Sequence, residues 1–152
     1  MFITLETPFA ASEGRTPRSD LGKQRAAQLT CPHLFKVLKL EHIFLETAHP
    51  ELVNWWWSFR VDAYNPKGWV DTSIYDGGKF RPYVNAVYLR GAHFLDHLRG
   101  RIGDEAYFAF MKDYLAQMSG KIATKENFLT ILRQHTSTDV SDIIAEYFQD
   151  PH

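Results

Sequence analysis

The chain has a single cysteine, Cys31, in 152 residues, and it carries almost no net charge: 17 Lys and Arg stand against 18 Asp and Glu. One cysteine excludes an internal disulfide and fits a reducing, cytoplasmic setting. A net charge of −1 removes the electrostatic pull toward polyanions, so neither a nucleic-acid partner nor an anionic membrane surface is expected. No apolar run approaches the ~20 residues that a bilayer span needs. The opening stretch, MFITLETPFAASEGR, has no basic n-region and too short an apolar run, so no secretory signal is expected. Internal repeats and low-complexity tracts are missing as well.

What the chain has in quantity is aromatic rings: 11 Phe, 7 Tyr and 4 Trp. At this length one domain can bury a real core. Composition shifts near residue 30. Residues 1–30 are rich in Ser, Thr, Gly, Pro and Arg and lack periodicity, so they are expected to be disordered or loosely attached. Residues 31–152 read as a helical domain.

The helical signals follow one another closely. HLFKVLKLEHIFLETA spreads Leu34, Val37, Leu38, Leu40, Ile43, Phe44 and Leu45 over a broad apolar stripe. His49-Pro50 breaks it, and Pro50 opens a second helix, PELVNWWWSFRVDAY. Turn residues fill the stretch from Tyr64 to Arg81. Residues 82–102 form the longest helix, broken at Gly103-Asp104. Residues 104–118 set Tyr107, Phe110, Met111, Tyr114 and Met118 on one stripe. Thr124 is a candidate N-cap for KENFLTILRQH. A last helix, from about Thr138 to Phe148, buries Ile143, Ile144, Tyr147 and Phe148. The class is all-α, a compact bundle of about five helices with a poorly ordered N-terminal segment.

The longest helix holds two histidines four residues apart, His93 and His97, the spacing that offers a metal two ligands from one helix. At 100° per residue, Val84, Val87, Tyr88, Gly91, Leu95, Leu98 and Ile102 share one narrow stripe, the expected buried face. His93 and His97 project opposite it and are expected to face solvent. Peptidases of the HExxH type need Glu directly after the first His, as base for a zinc-bound water. Phe94 stands there, and no HExxH occurs in the chain. The pair reads as surface, and no metal ligand is assigned.

Tyr88 lies on the apolar stripe. On pattern alone it is a core tyrosine whose hydroxyl finds one partner. The string around it adds a second reading. VYLRGAHFLDHLRGRIGDEAYFAFMKDYL, followed by KIATKENF, resembles the C-terminal part of the catalytic domain of membrane alanyl aminopeptidase-type (gluzincin) zinc metallopeptidases. That family carries Tyr, any residue, Lys, Gly and a small residue on a helix. Ile-Gly then precedes an aromatic-rich helix, and a loop close to K-x-A-T-x-x-x-F follows. Tyr88, Arg90, Gly91, Ala92, Ile102, Gly103, Lys121, Ala123, Thr124 and Phe128 match in order, with Arg90 in place of the commoner Lys. The resemblance spans roughly residues 50–148.

The resemblance implies that Tyr88 is catalytic, its hydroxyl donating to the oxyanion of a tetrahedral intermediate. A phenol suits that task, being a neutral donor held rigidly by its ring. Complete relatives hold zinc with the two His of HExxH and a Glu on a following helix. This chain begins too late to include HExxH. Where the Glu string would be sought it carries Phe35, Lys36 and Val37, and an ammonium cannot ligate zinc. Glu41 and Glu46 read as solvated helix charges. No cofactor is therefore expected in this chain, zinc belonging to the complete enzymes.

Trp55, Trp56 and Trp57 sweep about 200° and cannot share one face, so one or two should enter the core while another meets a neighbour. The functional expectation is a fragment or degenerate member of a zinc aminopeptidase family, inactive alone, with peptide as substrate only in a complete enzyme. The alternative is a non-catalytic helical module that binds a protein partner or a second copy. The two differ in whether Tyr88 faces a cleft or lies sealed in the core.

Overall fold

In a computed structural model of the chain, residues 32–72, 79–121 and 123–149 are described, residues 32–37 by their backbone alone. Six helices and no strand occur among the described residues, so the all-α expectation holds. The expectation for residues 1–30 lies outside the described residues.

Helix α1 (Pro32–Ala48) stops where His49 leaves the helical region, at φ −145° and ψ 61°, ahead of Pro50. Helix α2 (50–64) is unusual along its length. A 3-10 turn (Pro50–Leu52) leads through a short α-helical piece (Val53–Trp55) into a π-helical turn (Trp56–Val61), and a second 3-10 turn (Asp62–Tyr64) ends it. Asn65, in the left-handed region at φ 44°, closes the helix. Helix α3 (80–102) also carries a π-helical turn, Val84–Arg90, between α-helical Phe80–Tyr83 and Gly91–Ile102. Gly103, at φ 82°, breaks it from α4 (Asp104–Met118) at the expected place. Helix α5 (Lys125–His135) starts at Thr124, as the sequence predicts. The Thr124 hydroxyl accepts from the Asn127 amide at 3.3 Å, while Asn127 Oδ1 accepts from the Thr124 amide at 3.1 Å. Helix α6 is shorter than expected, Ser141–Tyr147, because Asp139 takes the Ser141 amide and hydroxyl into a turn that precedes it.

Helix α3 is the centre of the molecule and is covered on two sides. On one side Val87, Phe94, Leu95 and Leu98 meet α4, α5 and α6 in a core of 19 buried residues, against five in the second cluster. Most of the hydrophobic stabilisation therefore lies on that side, at ~1.5–3 kcal/mol for each large side chain fully buried. Rings dominate it: Phe128 sits 4.9 Å from Phe110, 5.4 Å from Tyr114 and 5.7 Å from Phe94. On the other side Leu89 and Ala92 pack with Leu38, Trp56 and Val61 of α1 and α2. The single narrow stripe expected for this helix is thus a correction: Leu89, Ala92 and Phe94 are buried outside it.

Two further expectations are corrected here. The inward face of α1 carries Leu38, Lys39 and His42, whereas Leu40 (54% exposed) and Phe44 (62%) point outward. Glu41 and Glu46 are paired rather than merely solvated. Glu41 accepts from Trp56 Nε1 at 3.4 Å and faces Arg60 at 3.7 Å, and Glu46 accepts from Arg99 at 2.5 Å. The three tryptophans divide as their spacing requires: Trp56 is buried, Trp57 half-buried, and Trp55 exposed and stacked on Phe59 at 5.3 Å.

Replacing Thr124 with Ala should cost about 1 kcal/mol, because the α5 start loses the acceptor for one of its orphan amides. Equilibrium denaturation measures this directly, and an unchanged midpoint would mean that Asn127 sustains the cap alone.

Candidate functional site

Tyr88 sits in the π-helical turn of α3, where hydrogen bonds to the fifth residue replace the α pattern; such turns are rare and gather at functional sites. The ring is half-buried and packs against both hydrophobic clusters at once. The Tyr83 ring meets it edge-on at 6.2 Å. Tyr88 is therefore neither sealed in the core nor loose on the surface.

Arg90 and Gly91 follow in the same segment. Gly91 is buried, and Ala92 beside it has no exposed surface. The Arg90 guanidinium spans two backbone carbonyls, those of Gly68 at 2.6 Å and Glu146 at 2.7 Å.

His93 and His97 do not behave as a free surface pair. His93 is half-buried, stacks on Trp57 at 4.8 Å and shares a hydrogen bond of 2.9 Å between its Nε2 and Asp62. This corrects the expectation of full solvent exposure. His97 is exposed, but its Nδ1 is engaged with the Tyr147 hydroxyl at 2.9 Å. Burial pushes that phenol's pKa up to about 12. Each histidine has one nitrogen committed and the rings stand 6.5 Å apart. Among the described residues no group of three or more His, Cys, Asp or Glu is placed to hold a metal ion.

Sequence reasoning missed a chain of polar groups between α1, α3 and α4. Lys39, only 1% exposed, donates to Asp96 at 2.5 Å and lies 3.1 Å from His42 Nδ1. An ammonium can only donate, so His42 Nδ1 accepts and the ring proton is assigned to Nε2, which is buried without a partner. His42 Nδ1 is also 3.4 Å from Glu46. Glu46 in turn takes Arg99, whose guanidinium grips both oxygens of Asp104 at 2.7 and 3.0 Å. Burial, and then the Lys39 charge, lowers the His42 pKa below its ordinary value of 6.5. The signal was available: Lys39, His42 and Glu46 recur at three- and four-residue steps along one face of α1.

A shallow hollow of about 470 Å³ lies beside Gly103, Asp104 and His135 at the start of α4, and Tyr88 is not in its wall.

The model of the Peptidase family M1 domain matches residues 53–147, well over half of the chain. The chain belongs to peptidase family M1. No curated protein and no solved structure matches it. Within the M1 segment, the residues that carry the sequence resemblance divide by task. Ala123 and Phe128 are buried in the larger core, Thr124 caps α5, and Gly103 turns the chain between α3 and α4. They build the cover over one side of α3. Helix α1, which brings Lys39 and His42, lies outside the M1 segment.

The His42 arrangement makes stability depend on pH. Folded His42 resists a proton that the unfolded chain accepts below about pH 6.5, so the unfolded state binds more protons there and stability falls on acidification. One such group accounts for at most about 1.4 kcal/mol per pH unit. His42→Gln should flatten the loss between pH 7.5 and 5.5, read from urea midpoints. Parallel curves for the two proteins would remove His42 as the cause.

Proposed function

We propose that this chain is the helical half of an M1 catalytic domain and serves the hydrolysis of an N-terminal peptide bond through Tyr88. The observation that carries the reading is the place of Tyr88: a half-buried phenol on a π-helical turn, within the M1 segment, where two hydrophobic clusters meet. Its hydroxyl is the donor to the oxyanion that develops on the scissile carbonyl. A rigid ring suits that task because the donor must already be aimed when the charge appears. Metal and general base come from groups outside residues 32–149, and without them the chain alone does not turn substrate over. Peptide is the substrate class and a cytoplasmic setting the proposed location.

The second reading, a non-catalytic interaction module, draws support from the exposed rings of α1 and α2. Phe44, Trp55 and Phe59 are each more than half exposed. Single exposed apolar side chains are ordinary on a protein surface, and the stacked pair Trp55–Phe59 is the one feature that favours this reading over the first.

Purified chain is expected to hold no stoichiometric zinc after dialysis and to leave amino-acid anilides untouched. Joined to a polypeptide that supplies metal and base, it should gain turnover, and Tyr88→Phe should then cost ~10²–10³ in kcat, the usual size for one lost oxyanion donor. A phenylalanine variant that turns over at the parent rate would sink the assignment of Tyr88, whereas anilide hydrolysis by the chain alone would sink the division of labour.

A further inference from the structure

Arg90 stands two residues beyond Tyr88, at the end of the same π-helical turn. Its Nη1 donates to the Gly68 carbonyl and its Nη2 to the Glu146 carbonyl, at 2.6 and 2.7 Å. The guanidinium also lies over the rings of Trp69 and Tyr147, 5.7 and 5.1 Å from their centroids. One side chain thus joins three pieces distant in sequence: the turn, the 65–72 loop and the end of α6. The other fastenings of that loop converge on the same place. The Val70 amide donates to the Tyr147 carbonyl at 3.0 Å, and the Gln149 amide donates to Asp71 at 3.0 Å. Gly68, at φ 106°, has its backbone so near the turn that a Cβ would sit 2.8 Å from that of Ala86.

We propose that Arg90 is a positioning residue, whose clamp on two carbonyls holds the π-helical turn and with it the Tyr88 ring in its working orientation. The proposal rests on the role given to Tyr88 above. A π-helical turn is a rare departure inside an α-helix and persists where its surroundings hold it. Slipping by one residue to the α pattern would swing Tyr88 by about 100° about the helix axis. The clamp opposes that slip from two sides, because each carbonyl belongs to a segment with its own anchors. Lysine, the commoner residue at this place in the resembling enzymes, cannot replace it. A compact ammonium has no planar fork to set against two carbonyls and both rings.

The test uses the full chain labelled with 3-fluorotyrosine, the Tyr88 resonance being assigned with Tyr88→Phe, together with amide hydrogen exchange. Arg90→Lys and Arg90→Ala are compared with Arg101→Ala. Arg101 also reaches toward α6, pairing with Asp142 at 2.7 Å and the Asp139 carbonyl at 3.1 Å, without touching the turn. In Arg90→Lys the amides of residues 87–91 should exchange at least about tenfold faster than in the parent, with α4 and α5 within about twofold, and the Tyr88 resonance should shift or double. Arg101→Ala should leave both readouts at the turn unchanged. A uniform rise in exchange across all helices would overturn the proposal, as would parent-like exchange and resonance in Arg90→Lys. Arg90→Lys decides even if Arg90→Ala fails to fold. Because the readouts are geometric, a catalytically silent Tyr88 would fail the turnover test above and leave this one intact.

Discussion

The Lys39 ammonium is buried to 1% exposure between α1 and α3, and its need for partners decides how α1 lies on the rest of the molecule. Removing a charge from water costs several kcal/mol unless it is paired and hydrogen-bonded. Asp96, His42 and the face of Trp57, 5.7 Å away, meet that need together. Rolled the other way, α1 would bury Leu40 and Phe44 and gain apolar area. It would then leave Asp96 and Arg99 of α3 without Lys39 and Glu46. The observed choice is polar pairing over apolar area. From it follow the exposed rings on the outside of α1 and the approach of Trp56 and Trp57 to His42, each 5.0 Å between ring centroids.

The two sides of α3 are built on different principles. The α4–α6 side is a ring-rich core. The α1–α2 side is smaller, and its specificity comes from ion pairs that cross between helices. Tyr88 touches both. A donor placed there is held by apolar packing on both flanks while its ring stays half-buried. Preorganisation of that kind is what oxyanion stabilisation requires. The clamp of Arg90 adds a third restraint from the loop and the chain's last helix.

Much of this was legible in the sequence where local chemistry decides. Thr124 with Asn127, Gly103 and the His49-Pro50 break set helix ends through capping, left-handed backbone and the proline ring. The apolar stripes of α4 and α6 named their buried residues, with Met111 only partly covered, because each of these helices has one covered face. The stripe rule fails for α3, which has two, and for α1, where Lys39 and His42 displace Leu40 and Phe44. No single-helix periodicity can reveal either, since both depend on what another helix brings. At the site, the ordered string from Tyr88 to Phe128 pointed to the family. The geometry of Arg90 was hidden because its acceptors are backbone carbonyls, which carry no mark in a sequence. His93 was misread for a similar reason: Trp57 and Asp62 cover it, and both come from α2.

The π-helical turns of α2 and α3 each hold about one residue more than an α turn would, and this sets the phase of everything after them. In α3 the segment after Arg90 is rotated relative to Phe80–Tyr83, so a single continuous helix presents different sides to its neighbours at its two ends. Length in this region is consequently a property of shape as much as of reach. Losing one residue between 84 and 90 would keep a helix of nearly the same extent and composition. If the turn then reverted to the α pattern, Phe94, Leu95 and Leu98 would keep their phase with Phe80–Tyr83, whereas straightening it with every residue kept would rotate them by about 100°. In this chain, then, the residue that the turn holds in excess, rather than the side chains around it, sets the phase of the second half of the helix.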